Sequence, residues 1–125
     1  MEPDFNKSDR RRVRELADIA WERQLRDELL AIGDAITAMR NNTITPHDVN
    51  QLIHQFHNGT SRELYNRYSS GQIWIAVCRA HYDGILSDED VSDVSEKLRD
   101  ELRRFAETYR TINGLDVPLN DKNGR

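Results

Sequence analysis

The chain has 125 residues, of which 37% are hydrophobic and 32% charged, and its formal net charge is −4 at pH 7. One domain with a small core is expected at this length, and the apolar content excludes a disordered chain. The negative charge argues against a general nucleic-acid binder, and the longest apolar run, IWIAVC at residues 73–78, is too short to span a membrane.

A long first helix is predicted over residues 9–39. Apolar residues recur along it at intervals of three or four: Val13, Ala17, Trp21, Leu25, Leu29, Ile32, Ile36 and Met39. At 1.5 Å per residue this helix would be about 46 Å long, whereas a domain of this size is only about 36 Å across. We therefore expect it to extend beyond its own domain, unless Gly33 divides it into two helices.

A homodimer is the expected consequence of this long apolar stripe. The stripe drifts around the helix, so that it presents two surfaces, and a second copy of the chain is the simplest cover for the second of them. The residues predicted in the dimer interface are Trp21, Leu25, Leu29, Ile32 and Ile36.

Two short helices joined by a corner are predicted next. Thr45 and Pro46 are typical of a helix start, because threonine caps the first turn and proline fits the first helical position. Gly59 is expected to end this second helix, and Thr60 with Glu63 to form a capping box for a third. Residues 54–68, HQFHNGTSRELYNRY, are therefore predicted to form a helix-turn-helix corner.

A central helix and a long last helix complete the predicted domain. Residues 73–82 are apolar on most sides, which indicates a buried helix. The segment SDED at residues 87–90 is expected to cap the last helix, whose apolar stripe ends at Ile112. The prediction is thus an all-α fold of about five helices over residues 9–112, with a flexible N-terminus at residues 1–8 and a polar tail at residues 113–125.

A basic run, KSDRRRVR at residues 7–14, falls in the first turns of the first helix. The helix dipole disfavours each cation there by about 0.3–1 kcal/mol, so acidic groups should lie nearby. The SDED segment is the expected source of those groups, and a nucleic-acid phosphate is the alternative.

Four potential zinc ligands occur in two pairs, each pair spaced three residues apart on a predicted helix: His54 with His57, and Cys78 with His81. In the other interpretation, Cys78 and His81 are structural residues of the core. We predict no metal and no other cofactor. Because Cys78 is the single cysteine and the first twenty residues contain no apolar signal core, we expect a reducing, cytoplasmic location.

The arginine–histidine pair Arg40 and His47 loosely resembles the motif of HEPN ribonucleases, in which both residues act at the scissile phosphate. That motif belongs on one helix, whereas Pro46 and a predicted break separate the two residues here. We therefore expect no enzymatic activity, with a helical metal-binding or HEPN-like ribonuclease domain as the alternative.

Four stretches resemble the fluorescence recovery proteins and occur in the same order: AWERQLRDELLAI, ITPHDVNQLIHQF, RELYNRY and AHYDGILSDEDV. This resemblance implies a small all-helical dimer that binds a protein, which in that family is the orange carotenoid protein. Asn50 stands where that family has a tryptophan, and Ile53, His54 and Gln55 occupy the region of its histidine and aspartate. Arg62 stands near the family's arginine. The resemblance therefore implies a relative with a different protein partner.

The predicted partner surface is the corner, with Phe56, Leu64 and Tyr68 pointing inward. Its outer side would carry His54, His57, Arg62, Tyr65 and Arg67. Tyrosine and arginine are enriched in binding hot spots. In the alternative interpretation the corner has only a structural role, with tyrosine at the rim of the core and arginine paired with a nearby acidic residue.

Overall fold

The computed structural model describes the backbone of residues 2–124 and the side chains of residues 2–113, and this backbone contains four continuous helical rods joined by turns and loops. The first rod is α1 (Lys7–Arg40), and the second joins α2 (Pro46–Gln55), a π-helical segment (Phe56–Thr60) and α3 (Ser61–Ser69). The third is α4 (Ile73–Tyr82), and the fourth is α5 (Glu96–Gly124). The predicted all-α class is confirmed.

The first helix is slightly longer than the predicted residues 9–39, since it spans Lys7–Arg40, and it is not divided. Asn6 caps it, accepting a hydrogen bond from the backbone N–H of Asp9 at 2.7 Å. Its 34 residues correspond to about 50 Å, which exceeds the diameter of the domain. Gly33 lies inside the helix without interrupting it, so the alternative of two separate helices is wrong.

The predicted corner at residues 54–68 is wrong. Thr45 and Asp48 form the capping box that starts α2, but the backbone then stays helical through Gly59. Thr60 makes no side-chain cap, so the second predicted capping box does not form. Both α2 and α3 pack against α1, and the π-helical segment joins them through Gly59 without a break in the helix.

One core holds the first half of α1 against α3, α4, α5 and the segment before α5. Its largest fully buried side chains are Phe5, Leu16, Val77, Cys78, Leu86 and Leu98. Phe5 meets Trp74 edge to face at a ring distance of 4.9 Å, and Lys97 Nζ donates to the carbonyl oxygen of Asp4 at 2.6 Å. The predicted flexible N-terminus at residues 1–8 is therefore wrong at Phe5, because burying this ring fixes the chain ahead of α1.

The last helix begins later than predicted. Ser87 and Asp90 form the expected cap, with the Ser87 backbone N–H donating to Asp90 Oδ2 at 2.7 Å, but it opens a series of turns. Ser95 then caps α5 by accepting from the Leu98 N–H at 3.1 Å. The backbone of α5 continues to Gly124 through most of the predicted polar tail, whose side chains beyond residue 113 lie outside the described residues.

Candidate interaction surface

Residues 21–60 are referred to below as the arm and the rest of the described chain as the body; Trp21 and Leu25 of the arm pack against the edge of the core. Between residues 21 and 63, all of which the structure describes, Val49 is the single buried side chain. The body by contrast buries an apolar side chain in every one of its helices. The arm is thus a pair of helices that cover each other incompletely.

Four large apolar side chains of the arm are exposed: Leu29 and Leu30 on α1, and Leu52 and Ile53 on α2. Ile32 faces Leu52 and Phe56 across a shallow cleft of about 180 Å³ between the two helices. Because apolar surface in water is unfavourable by roughly 25 cal/mol per Å², burial of these side chains against another surface would stabilise the arm.

The predicted interface residues follow one stripe of α1 within the arm. Trp21, Leu25, Ile32 and Ile36 are half-buried, and Leu29 is 48% exposed. At about 100° per residue, Leu25, Leu29 and Ile36 lie within about 40° of one another. Successive steps from residue 25 to residue 39 alternate four and three, as in the contact stripe of paired helices.

The predicted partner residues do not share one surface. His54 lies along a shallow polar groove of α2 with His47, and His57 is exposed on the π-helical segment. Tyr65 and Arg67 lie about 200° apart around α3, on nearly opposite sides.

Tyr65 is the best-defined member of that set. It is 57% exposed, and its ring meets the ring of Trp21 edge to face at 5.7 Å. Arg62 is exposed and lies about 60° from Tyr65 around α3. Trp21, Arg62 and Tyr65 therefore form a small aromatic and cationic surface where the arm joins the body.

The four candidate zinc ligands are dispersed. Cys78 is buried in the core, where burial raises the pKa of its thiol far above the usual range and disfavours the thiolate that binds metal. His81 Nε2 lies 3.2 Å from Asp88 Oδ1. Within the described residues, no group of three or more histidine, cysteine or acidic side chains could hold a metal ion.

The two residues of the ribonuclease-like pair lie on different helices. Arg40 is the last residue of α1, and His47 lies in the first turn of α2. The loop between them contains Asn42 at a φ of 60°, a left-handed conformation that reverses the chain direction. The single-helix arrangement of the HEPN motif is therefore absent at this pair.

One arginine of the basic run contacts the acidic segment, but through a backbone carbonyl oxygen and not through a carboxylate as predicted. Arg12 Nη2 donates to the Asp90 carbonyl oxygen at 2.9 Å and to Asp93 Oδ1 at 3.1 Å. Arg23 adds a bidentate pair with Asp90 at 2.7 and 3.0 Å. The Arg23 guanidinium and the Ser87 N–H hold the pKa of the Asp90 carboxyl well below its usual range.

A groove between α3, α4 and α5 was not anticipated from the sequence. Its volume is about 630 Å³, and the lining includes Arg67, Ile75, Arg79, Phe105 and Tyr109. These residues come from three helices, so no local sequence pattern could have grouped them. The one local signal was the apolar stripe of the last helix, which includes Phe105 and Tyr109.

Comparisons with protein-family models, with curated proteins and with solved structures found no match to this chain. None of the helices in residues 2–124 combines the length and the apolar character that a membrane span requires.

Proposed function

We propose that this chain is a non-enzymatic protein-binding module that works as a homodimer, with the arm as the dimer contact. The observation that carries the proposal is the contrast in burial along α1. The helix is packed into the core up to Ala20, and its apolar stripe then continues through Leu29 and Ile36 without comparable cover.

A second copy of the same chain fits this stripe for a physical reason. Helices whose apolar residues alternate in steps of four and three pair along that stripe, and a two-fold arrangement places each copy's stripe on the other. The resemblance of the sequence to the fluorescence recovery proteins, which are helical dimers, favours the same arrangement. The proposed interface residues remain Trp21, Leu25, Leu29, Ile32 and Ile36.

Sedimentation equilibrium tests the dimer. The intact chain should sediment at twice its chain mass of 14.6 kDa at micromolar concentration, and Leu29→Glu should sediment as a monomer with unchanged helical circular dichroism. Ile112→Glu is the matched control, because Ile112 is 52% exposed and lies on α5 outside the arm. A monomeric intact chain, or a Leu29→Glu variant that still dimerises, would contradict the arm contact.

The partner surface of this module is proposed to be Arg62 and Tyr65 of α3, with the half-buried Trp21 ring packed edge to face against Tyr65. Exposed tyrosine and arginine are residue types that dominate protein interfaces. His54 and His57 lie outside α3 and are not part of this surface. Arg67, which lies on the other side of α3, is not part of this surface.

An affinity capture from source-organism lysate tests this surface. We expect Arg62→Glu to lose a protein that the intact chain retains, and Arg103→Glu, a charge reversal on exposed α5, to keep it. Retention by both variants would place the partner elsewhere on the molecule. The dimer assay above separates this failure from loss of the dimer.

A further inference from the structure

We propose that the groove between α3, α4 and α5 binds a small amphipathic carboxylate, one with an aromatic or branched aliphatic body. The groove lies away from the arm, and its ligand is independent of the dimer proposed above. Its volume of about 630 Å³ falls within the range of small-ligand sites.

The floor of the groove is apolar. It is formed by Ile75 and Ala76 of α4 and by Phe105 and Tyr109 of α5. Phe105 and Tyr109 stack on each other at a ring distance of 5.6 Å, and Tyr82 meets Tyr109 edge to face at 4.7 Å. These contacts hold the rings in place before any ligand arrives, so a planar or branched apolar body can bind without ordering the floor first.

Arg79 supplies a prepared anion-binding group at the edge of that floor. Its guanidinium lies 4.7 Å from the centroid of the Tyr109 ring, and its Nε donates to Asp83 at 3.1 Å. Within the described residues, its two terminal nitrogens donate no hydrogen bond. A guanidinium fixed in this way presents two parallel N–H groups, which is the geometry that a carboxylate accepts.

Arg67 adds a second cation to the lining. It forms an ion pair with Glu63 at 3.6 Å, beyond hydrogen-bond distance, and Glu63 also lines the groove. Each of the two arginines has a carboxylate partner, Glu63 for Arg67 and Asp83 for Arg79, so the net charge of the four groups is zero. The terminal nitrogens of Arg79 are the hydrogen-bond donors that remain for an anion, and the floor selects an anion with an apolar body.

Titration with 2-naphthoate, followed by amide chemical shifts and calorimetry on the full chain, tests the proposal. We expect saturable binding with shifts confined to residues around Ile75, Arg79 and Tyr109. The uncharged analogue 2-naphthamide should bind roughly tenfold more weakly, because it lacks the charge that the arginines recognise.

The variants Arg79→Gln and Arg67→Gln should each weaken 2-naphthoate binding, with Arg79→Gln weakening it by roughly tenfold or more. Arg103→Gln, on exposed α5, is the matched control and should bind as the intact chain does. Thermal melts confirm that each variant is folded, and Arg67→Gln keeps the test valid if Arg79→Gln is not. Leu29→Glu should bind normally, which separates this site from the arm.

Three results would overturn the proposal: no saturable binding, equal affinity for 2-naphthoate and 2-naphthamide, or shifts that map to the arm.

Discussion

The two halves of α1 belong to different environments although they form one unbroken helix. In the body, Val13, Leu16 and Ala20 are buried against other elements. In the arm, Leu29 and Leu30 are exposed on the same helix. Helix formation and helix packing are therefore separate: the first follows from residues along the chain, and the second depends on what lies beside them.

The difference also bears on stability. A helix gains most of its stability in a protein from packing its apolar face, and an isolated helix of ordinary length is marginal in water. Residues 21–25 still contact the body, as in the pair of Arg23 with Asp90, but beyond them the helix packs mainly against α2, which itself buries Val49 alone. The arm is therefore the part of the molecule whose order depends most on a second copy or another cover.

The largest expected difference between the two halves is the cost of truncating a leucine. Leu16 is fully buried in the body, so Leu16→Ala should lower the free energy of unfolding by about 2–5 kcal/mol through lost burial and the cavity left behind. Leu29→Ala should cost less than about 1 kcal/mol at a concentration where the chain is monomeric, because half of that side chain is already in water. Urea unfolding followed by circular dichroism measures both.

The cost of truncating each leucine should also differ in its dependence on protein concentration. If the arm is covered by a second copy, the cost of Leu29→Ala should rise with concentration, whereas the cost of Leu16→Ala should not. Equal costs for the two variants at low concentration would show that the arm is packed as firmly as the body.

Some elements of this fold can be predicted from the sequence and others cannot. The apolar spacing along α1 and the Thr45 cap are local patterns, and both predictions are confirmed. The corner at Gly59 was wrong because a glycine accepts helical backbone angles when neighbouring segments pack on a common helix. The start of α5 was wrong because Ser87 and Ser95 both make cap hydrogen bonds, and continuous helix follows only the second.

The candidate sites also differ in whether local sequence spacing predicts them. The apolar stripe of the arm follows from the period of α1 alone, which is why its residues could be named from the sequence. Phe5 and the groove at Arg79 depend on contacts between distant segments, such as Phe5 with Trp74 and Arg79 with Tyr109. No spacing along the chain encodes those contacts.

A smaller effect is expected at the boundary between body and arm. Asp90 caps the turn at Ser87 and pairs with Arg23 of α1. Asp90→Ala should destabilise the chain by about 1–2 kcal/mol, mainly through the lost cap. Asp93→Ala is the matched control, because Asp93 is exposed and accepts a single hydrogen bond from Arg12.

The effect of Asp90 should depend on pH in a defined direction. The pKa of this carboxyl is lowered in the folded chain, whereas in the unfolded chain it is about 3.9. The unfolded state therefore binds the proton first, and the contribution of Asp90 is complete above about pH 5 and is lost as the pH falls through the folded-state pKa. The difference in unfolding free energy between the intact chain and Asp90→Ala should narrow as the pH falls from 7 to 2; a constant difference would contradict the ionic contribution.

The smallest effect is expected at Gly33, and it distinguishes a bare arm from a covered one. In the single chain, a Cβ added at Gly33 meets nothing within 4 Å, so Gly33→Ala should stabilise the helix by about 0.5–1 kcal/mol. Gly33 lies only about 40° from Leu29 around α1, so in the dimer the new methyl group enters or borders the contact. The gain should then shrink or reverse as protein concentration rises. Thr37→Ala, farther round the helix, should give the same small change at every concentration, and parallel behaviour of the two variants would mean that no second chain covers this face.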